Sequence, residues 1–123
     1  MIKKNYKGRC ERRQFSKCEG VCRLYNKIQI AYAEEIQEED EIVSFRCNVL
    51  IDGVEDGEYT TDFVCTKADG TLRVRECVPR NQLTWPSVAK LLEASRQYWY
   101  VKRGIKDWGI VIDKKKDGEP DET

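Results

Sequence analysis

Two strand-like segments joined by a tight turn decide the fold of this chain: Tyr59-Thr60-Thr61-Asp62-Phe63-Val64 and Leu72-Arg73-Val74-Arg75-Glu76-Cys77-Val78. Successive side chains of a strand point to opposite faces, so Asp62 is predicted to share a face with Val64. By the same rule, Glu76 lies between two valines. A carboxylate among apolar neighbours is costly, and natural chains usually place a cation beside it. Two such acids on paired strands therefore predict a divalent metal site.

The residues before this hairpin predict a helix and a strand. Apolar side chains recur at helical spacing over residues 16–37, which predicts a first helix that begins at Ser16. Residues 43–51 alternate between apolar and polar types, which predicts a strand with one mainly apolar face. Residues 52–57 predict a turn, and Asp69-Gly70 predicts the tight turn of the hairpin that follows.

The residues after the hairpin predict a second helix and a last strand. Pro86 suits the first helical position, Thr84 is a candidate cap, and Gly104 marks the helix end. Trp108-Gly109-Ile110-Val111-Ile112 predicts a buried strand, which the crossover through the helix makes parallel to the Glu76 strand. The predicted fold is therefore α/β, in the order helix-strand-strand-strand-helix-strand, with helices on a mixed sheet.

Composition fits one soluble domain with one core. The chain has 123 residues, of which 36% are charged and 40% are hydrophobic. It has no apolar run near the roughly 20 residues that cross a bilayer, and Met1-Ile2-Lys3-Lys4 lacks the apolar core of a signal peptide. We therefore expect a cytoplasmic protein without a membrane partner. The absence of histidine excludes hydrolases built on Ser-His or Cys-His pairs.

Six cysteines, at positions 10, 18, 22, 47, 65 and 77, raise two alternatives. Three of them fall within apolar strand patterns, as buried reduced thiols do. Cys18 and Cys22 lie one helical turn apart and Cys10 is near in sequence, a pattern that suggests zinc ligands. A structural zinc site normally has four Cys or His ligands, so the sequence disfavours zinc.

The two ends of the chain differ from its middle. The first fifteen residues carry six basic side chains against Glu11 alone: Lys3, Lys4, Lys7, Arg9, Arg12 and Arg13. Such a segment favours phosphate binding with salt-dependent affinity for DNA; the alternative is a solvated, mobile terminus. Residues 114–123 have no apolar side chain and are expected to be disordered. The predicted organisation is a basic arm (1–15), an α/β domain (16–113) and a polar tail (114–123).

The order of elements, with three short motifs, resembles the TnsA-type endonuclease subunit of heteromeric transposases. The motifs are Ser16-Lys17-Cys18-Glu19, Tyr59-Thr60-Thr61-Asp62-Phe63 and Arg75-Glu76-Cys77, and residues 89–99 and 104–111 are also family-like. The resemblance spans roughly residues 9–113. That family belongs to the restriction-endonuclease-like superfamily, whose core has the predicted order of elements.

The resemblance implies a function and its site residues. Glu19 matches the acid of the first helix, Asp62 the acid of the second strand, and Glu76 the acid or amide of the third-strand motif. In the family these residues hold Mg²⁺ (or Mn²⁺) and position a water that attacks a phosphodiester. The expected partners are double-stranded DNA, a transposase subunit and a regulatory ATPase, in a prokaryotic or mobile-element setting. The resemblance leaves a homodimer open.

One position departs from the family motif. A lysine normally stands two residues after the third-strand acid, and here that residue is Val78. Arg80, two residues further along, and Lys90 on the second helix are the candidate substitutes. The loss of the lysine keeps two other functions open: a catalytically impaired DNA-binding or assembly subunit, and a small non-enzymatic interaction protein on the same fold.

The predicted ligands also have structural explanations. Ser16-x-x-Glu19 has the sequence pattern of a capping box, in which the serine and glutamate side chains accept hydrogen bonds from N–H groups at the helix start. Asp62 and Glu76 are alternatively explained as surface ion-pair partners of Arg73 or Arg75.

Overall fold

The computed structural model describes residues 10–51 and 59–113. In chain order its elements are β1 (Glu11–Arg13), β2 (Cys22–Leu24), α1 (Lys27–Glu38), β3 (Ile42–Ile51), β4 (Tyr59–Lys67), β5 (Leu72–Cys77), a 3₁₀ turn (Arg80–Gln82), α2 (Pro86–Arg103) and β6 (Trp108–Val111). From α1 onward the predicted order of helices and strands is confirmed. The predicted turn over residues 52–57, Lys3, Lys4, Lys7 and Arg9 of the arm, and the tail lie outside the described residues.

The central sheet is mixed and has the strand order β3-β4-β5-β6. β3, β4 and β5 pair antiparallel, and the β4–β5 connection turns at Gly70, whose φ of +89° suits glycine. β6 pairs parallel to β5, as predicted, because α2 carries the chain back across the sheet.

The two helices cover opposite faces of the sheet. On the first face, α1 packs through Ile28, Tyr32 and Ile36 against side chains of β3, β4 and β5, namely Phe45, Phe63, Cys65 and Cys77. On the other face, α2 packs through Leu91 and Trp99 against Ile51, Tyr59, Val64 and Val74. The architecture is therefore a helix-sheet-helix sandwich of three layers.

The first helix is shorter than predicted, because residues 16–26 are not helical. α1 starts after Asn26, whose Oδ1 accepts a hydrogen bond from the Gln29 N–H at 2.9 Å. Before it, β2 pairs antiparallel with β1, with Cys22 and Leu24 buried and Arg23 exposed between them. This alternation is that of a strand. The capping box predicted at Ser16 is therefore wrong.

The second helix has the predicted limits but not the predicted cap. Pro86 is its first residue, and Gly104 ends it in the left-handed conformation at a φ of +66°. The residue at the N-cap position is Trp85, which makes no side-chain capping bond. Thr84, the predicted cap, lies one residue too early.

β3 changes faces in its middle, so the prediction of one apolar face is wrong. Cys47 belongs to the α1 side of the sheet, whereas Ile51 packs on the α2 side. Between them Asn48 has a φ of +54°, a left-handed conformation that asparagine tolerates and that interrupts the alternation of side chains. The flanking strand pairs are Cys47–Phe63 and Val49–Thr61, so Asp62 of β4 lies opposite this irregularity.

β1 brings the last part of the predicted basic arm into the folded structure. Residues 11–13 form the two-stranded sheet with β2, and Phe15 packs against the core on the α1 side. Neither helix of the described residues has the length and apolar character that crossing a membrane requires.

Candidate functional site

Asp62 and Glu76 lie side by side at the point where the β4–β5 ladder ends. The last paired residues are Phe63 and Arg75, and the two acids are the next positions along each strand. The Asp62 N–H donates to Glu76 Oε1 at 3.1 Å, and the Cys77 N–H donates to Asp62 Oδ2 at 2.6 Å. Both residues are 0% exposed. An oxygen of each carboxylate thus accepts a hydrogen bond from a backbone N–H group. As predicted, the two acids lie at similar heights along the sheet.

Both helices also bind the acid pair. Gln29 Nε2 of α1 donates to Asp62 Oδ1 at 3.0 Å, and Ser95 Oγ of α2 donates to Glu76 Oε2 at 2.6 Å. Trp108 Nε1 of β6 donates in turn to Ser95 Oγ at 3.1 Å. Each of the four carboxylate oxygens therefore accepts a hydrogen bond, and bonds to an ionised acceptor are the stronger kind.

The contact with α1 shows that Asp62 does not share a face with Val64. Val64 packs with the α2-side cluster, while Asp62 reaches Gln29 on the other side of the sheet. The face change opposite Asn48 is the physical reason, since the strict alternation assumed for β4 is interrupted there.

Gln29 occupies the place that the family resemblance implied for Glu19. It is the third residue of α1, is 1% exposed, and accepts a hydrogen bond from the Tyr25 N–H at 2.6 Å through Oε1. The Gln29 side chain therefore accepts a backbone hydrogen bond next to the start of α1 and donates another to Asp62. The signal in the sequence was Asn26-x-x-Gln29, a capping-box pattern that spans the start of α1.

Glu19 lies apart from the acid pair. It is exposed in the segment between β1 and β2, where its backbone N–H donates to the Phe45 oxygen at 2.9 Å. Within residues 10–51 and 59–113, only one set of three or more Cys, Asp and Glu side chains has ligand atoms all within 4.8 Å of one another, and it consists of Cys18, Cys22 and Cys47. The structure does not bring Glu19, Asp62 and Glu76 into such a set.

The position of the family lysine is apolar and buried. Val78 is 1% exposed and packs with Val88 and Leu92 of α2. Arg80 is anchored near the end of the described chain: its Nη2 donates to the Asp113 oxygen at 2.9 Å, and its N–H donates to Asp113 Oδ1 at 2.6 Å. Lys90 is exposed on the outer side of α2, away from the residues that face the sheet.

Two arginines of β5 bind carboxylates other than the acid pair. Arg73 makes a two-pronged contact with Glu39 at 3.1 and 2.9 Å, and Arg75 Nη2 lies 2.7 Å from Asp107 Oδ1. Lys67 Nζ lies 2.9 Å from Asp107 Oδ2. Because Asp62 and Glu76 are buried, the alternative that they form surface ion pairs is wrong.

The described part of the basic arm carries less free charge than the sequence suggests. Arg13 lies 3.2 Å from Glu11 and 3.1 Å from Glu34, and its guanidinium stacks over Phe15 at 5.1 Å. Arg12 is exposed. Of the two basic residues described here, Arg12 is thus the exposed one, while the charge of Arg13 is offset by two carboxylates.

In comparisons with known proteins, no protein-family model matches the chain and no curated protein matches it in sequence. Two carboxylates with hard oxygen atoms, fixed by neutral donors from α1, α2 and β5, are suited to a hard divalent cation.

Proposed function

We propose that this chain is a metal-dependent DNA endonuclease subunit of a transposase, similar to the TnsA type, on a restriction-endonuclease-like core. The observation that carries the proposal is the adjacent pair Asp62 and Glu76, held at the end of the β4–β5 ladder. The mixed sheet, with β6 parallel to β5 and a helix on each face, is consistent with that core. Double-stranded DNA, a transposase subunit and a regulatory ATPase are the proposed partners.

The donor set fits magnesium. Mg²⁺ in phosphoryl-transfer sites is commonly bound by one or two carboxylates, with waters and substrate phosphate completing its shell. Asp62 and Glu76 would hold it, because carboxylate oxygens are the hard ligands that Mg²⁺ prefers. When bound, the ion supplies positive charge beside a phosphate and lowers the pKa of a bound water.

The surrounding side chains position the two acids. Trp108 Nε1 occupies one acceptor site of Ser95 Oγ, so the hydroxyl proton is directed to Glu76. The Cys77 N–H and Gln29 Nε2 bind opposite oxygens of Asp62, which fixes the plane of its carboxylate. Preorganised ligands of this kind avoid the reorganisation that a flexible site requires.

Two replacements favour a second candidate function, a DNA-binding or assembly subunit that does not cleave. Val78 removes the cation that orients the attacking water in the family, and its buried apolar contacts leave no charge there. Gln29 is a neutral amide at the first-helix position, where the family has an acid. The site thus has two carboxylates and lacks the motif lysine.

Cleavage of supercoiled plasmid in Mg²⁺ or Mn²⁺ tests the proposal. We expect nicking by the wild type that is lost in Asp62→Asn and in Glu76→Gln, two substitutions that keep side-chain volume. Glu38→Gln, at an exposed acid in the last turn of α1, is the matched control and should nick normally. Absent nicking with salt-sensitive DNA binding would favour the second candidate. Absence of both would leave the non-enzymatic interaction protein.

The role of the arm is tested separately by removing residues 1–9, which leaves β1 intact. Each phosphate that a lysine or arginine neutralises contributes about 0.9 to the slope of log affinity against log salt. We expect a smaller slope for the truncated chain. An unchanged slope would show that residues 1–9 do not neutralise DNA phosphates.

A further inference from the structure

Three thiols converge between the N-terminal hairpin and the central sheet. Cys22 Sγ lies 2.7 Å from Cys47 Sγ, and Cys18 Sγ lies 4.0 Å from Cys47 Sγ. All three sulfur atoms are within 4.8 Å of one another. Nearness in sequence associated Cys18 and Cys22 with Cys10, but the third member of the cluster is Cys47 of β3.

The backbone brings these thiols together independently of any bond between them. The Phe45 N–H donates to the Lys17 oxygen at 2.9 Å, and the Glu19 N–H donates to the Phe45 oxygen at 2.9 Å, which fastens the segment around Cys18 to β3. Asn48 Nδ2 donates to the Arg23 oxygen at 2.7 Å, which fastens β2 to the same strand. The three sulfur atoms are therefore preorganised.

We propose that Cys18, Cys22 and Cys47 form a binding site for a thiophilic metal ion of the Zn²⁺ class, with three thiolate ligands and one position open to water. Thiolates select zinc and similar soft ions over magnesium. Cys22 is fully buried, while Cys18 and Cys47 are half-buried, so the open position faces the solvent side of the cluster.

The number of converging thiols, rather than their distances alone, favours a metal over a disulfide. With zinc–sulfur bonds of about 2.3 Å in tetrahedral geometry, the sulfur atoms lie about 3.8 Å apart. The Cys18–Cys47 separation is close to this value, and Cys22 needs to move away from Cys47 by about 1 Å to match it. A disulfide would use only two of the three thiols and would leave Cys18 unexplained.

The ion would connect β2, the segment before it and β3, which already meet in the core on the α1 side of the sheet. Cys47 adjoins Asn48, the residue at which β3 changes faces, and Cys47 pairs with Phe63 beside Asp62. The ion would therefore cross-link these elements, and this effect is independent of the proposed nuclease activity.

Metal binding by the full chain tests the proposal. Reduced, metal-free protein should take up one equivalent of Zn²⁺, and at a free concentration one hundred times Kd its Tm should rise by about 10 °C. Co²⁺ should give the visible absorption of a tetrahedral thiolate site. Cys18→Ser, at a half-buried position, should abolish both effects, whereas the exposed Cys10→Ser should retain them.

A measurement on the wild type avoids dependence on variants that fail to fold. Zn²⁺ should protect Cys18, Cys22 and Cys47 from alkylation, as located by peptide mass spectrometry. Equal alkylation with and without Zn²⁺, or uptake of Zn²⁺ that survives in Cys18→Ser, would overturn the proposal. So would a Cys22–Cys47 disulfide in the isolated protein, seen as the loss of two hydrogens, if no metal binds after reduction.

Discussion

Ser95→Ala should destabilise the protein strongly, because Ser95 connects Glu76 to Trp108. The hydroxyl is fully buried, donates to the Glu76 carboxylate at 2.6 Å and accepts from Trp108 Nε1 at 3.1 Å. A hydrogen bond to a charged group contributes about 1.5–3 kcal/mol and a neutral one about 0.5–1.5 kcal/mol. The higher helix propensity of alanine offsets about 0.5 kcal/mol of that loss. We expect the free energy of unfolding to fall by about 1.5–4 kcal/mol.

Urea denaturation followed by circular dichroism measures this change, and the slope with urea should stay the same. The expected decrease in Tm is about 6–15 °C for a domain of this size. Ser87→Ala is the matched control, since it makes the same substitution at a half-buried position in the first turn of α2. A loss for Ser95→Ala that is no larger than that for Ser87→Ala would refute the reasoning.

Three further substitutions test the acid pair, the face change and an ion pair. Gln29→Glu places a carboxylate beside Asp62, so Tm without metal should fall at neutral pH and should recover with added MgCl₂ more than wild-type Tm does. Asn48→Ala should be less stable in urea than Asn48→Gly by about 1 kcal/mol, because glycine accepts the positive φ. Burial alone would raise the pKa of Asp107, but the hydrogen bond from Lys67 contributes to a net lowering. Its stabilisation is therefore present above the ordinary pKa of 3.8 and is lost as pH falls through the lower folded value, so Asp107→Asn should flatten the acid decline of stability.

Each of these predictions has an outcome that contradicts it. Gln37→Glu, on the same helix as Gln29, should show no added response to MgCl₂, and an equal response in both variants would point to a general salt effect. Equal stability of the alanine and glycine variants at position 48 would show that the positive φ carries no cost. If Tm of Asp107→Asn declined between about pH 4 and pH 2 as much as wild-type Tm does, the Lys67–Asp107 ion pair would not contribute to the loss of stability in acid.

Local signals predicted much of the fold. The Asp69-Gly70 turn, Pro86 at the start of α2 and Gly104 at its end act over a few residues, so the chain around them determines their structure. The parallel pairing of β5 and β6 followed from the handedness of crossovers. Together these signals predicted that Asp62 and Glu76 lie on neighbouring strands, as they do in β4 and β5.

The start of the first helix was wrong because two patterns overlap there. Val21 and Tyr25 continue the helical spacing of α1 backwards, but Val21 is 51% exposed, and the buried residues are Cys22 and Leu24 of β2. Gly20, with a φ of +83°, separates this strand from the segment before it. The tertiary contacts of β2 with β1 and β3 overrode the local pattern.

Long-range contacts account for the parts of the site that the sequence did not predict. The period of a strand cannot show that Asn48 adopts a left-handed conformation, and this one residue decides which helix Asp62 meets. Gln29 and Cys47 acquire their roles from neighbours far away in the sequence, at Asp62 and Cys22. The family resemblance pointed to Glu19 instead, and nearness in sequence associated Cys10 with Cys18 and Cys22.

The crossover between β5 and β6 bears on how the chain folds during synthesis. The elements up to β5 can pair as antiparallel neighbours while translation continues, because they adjoin one another along the chain. Trp108 leaves the ribosome only after all of α2. A nascent chain stalled before this tryptophan would therefore carry Glu76 and Ser95 without the indole that completes their hydrogen-bonded chain, and the acid pair would reach its final arrangement as one of the last events of folding.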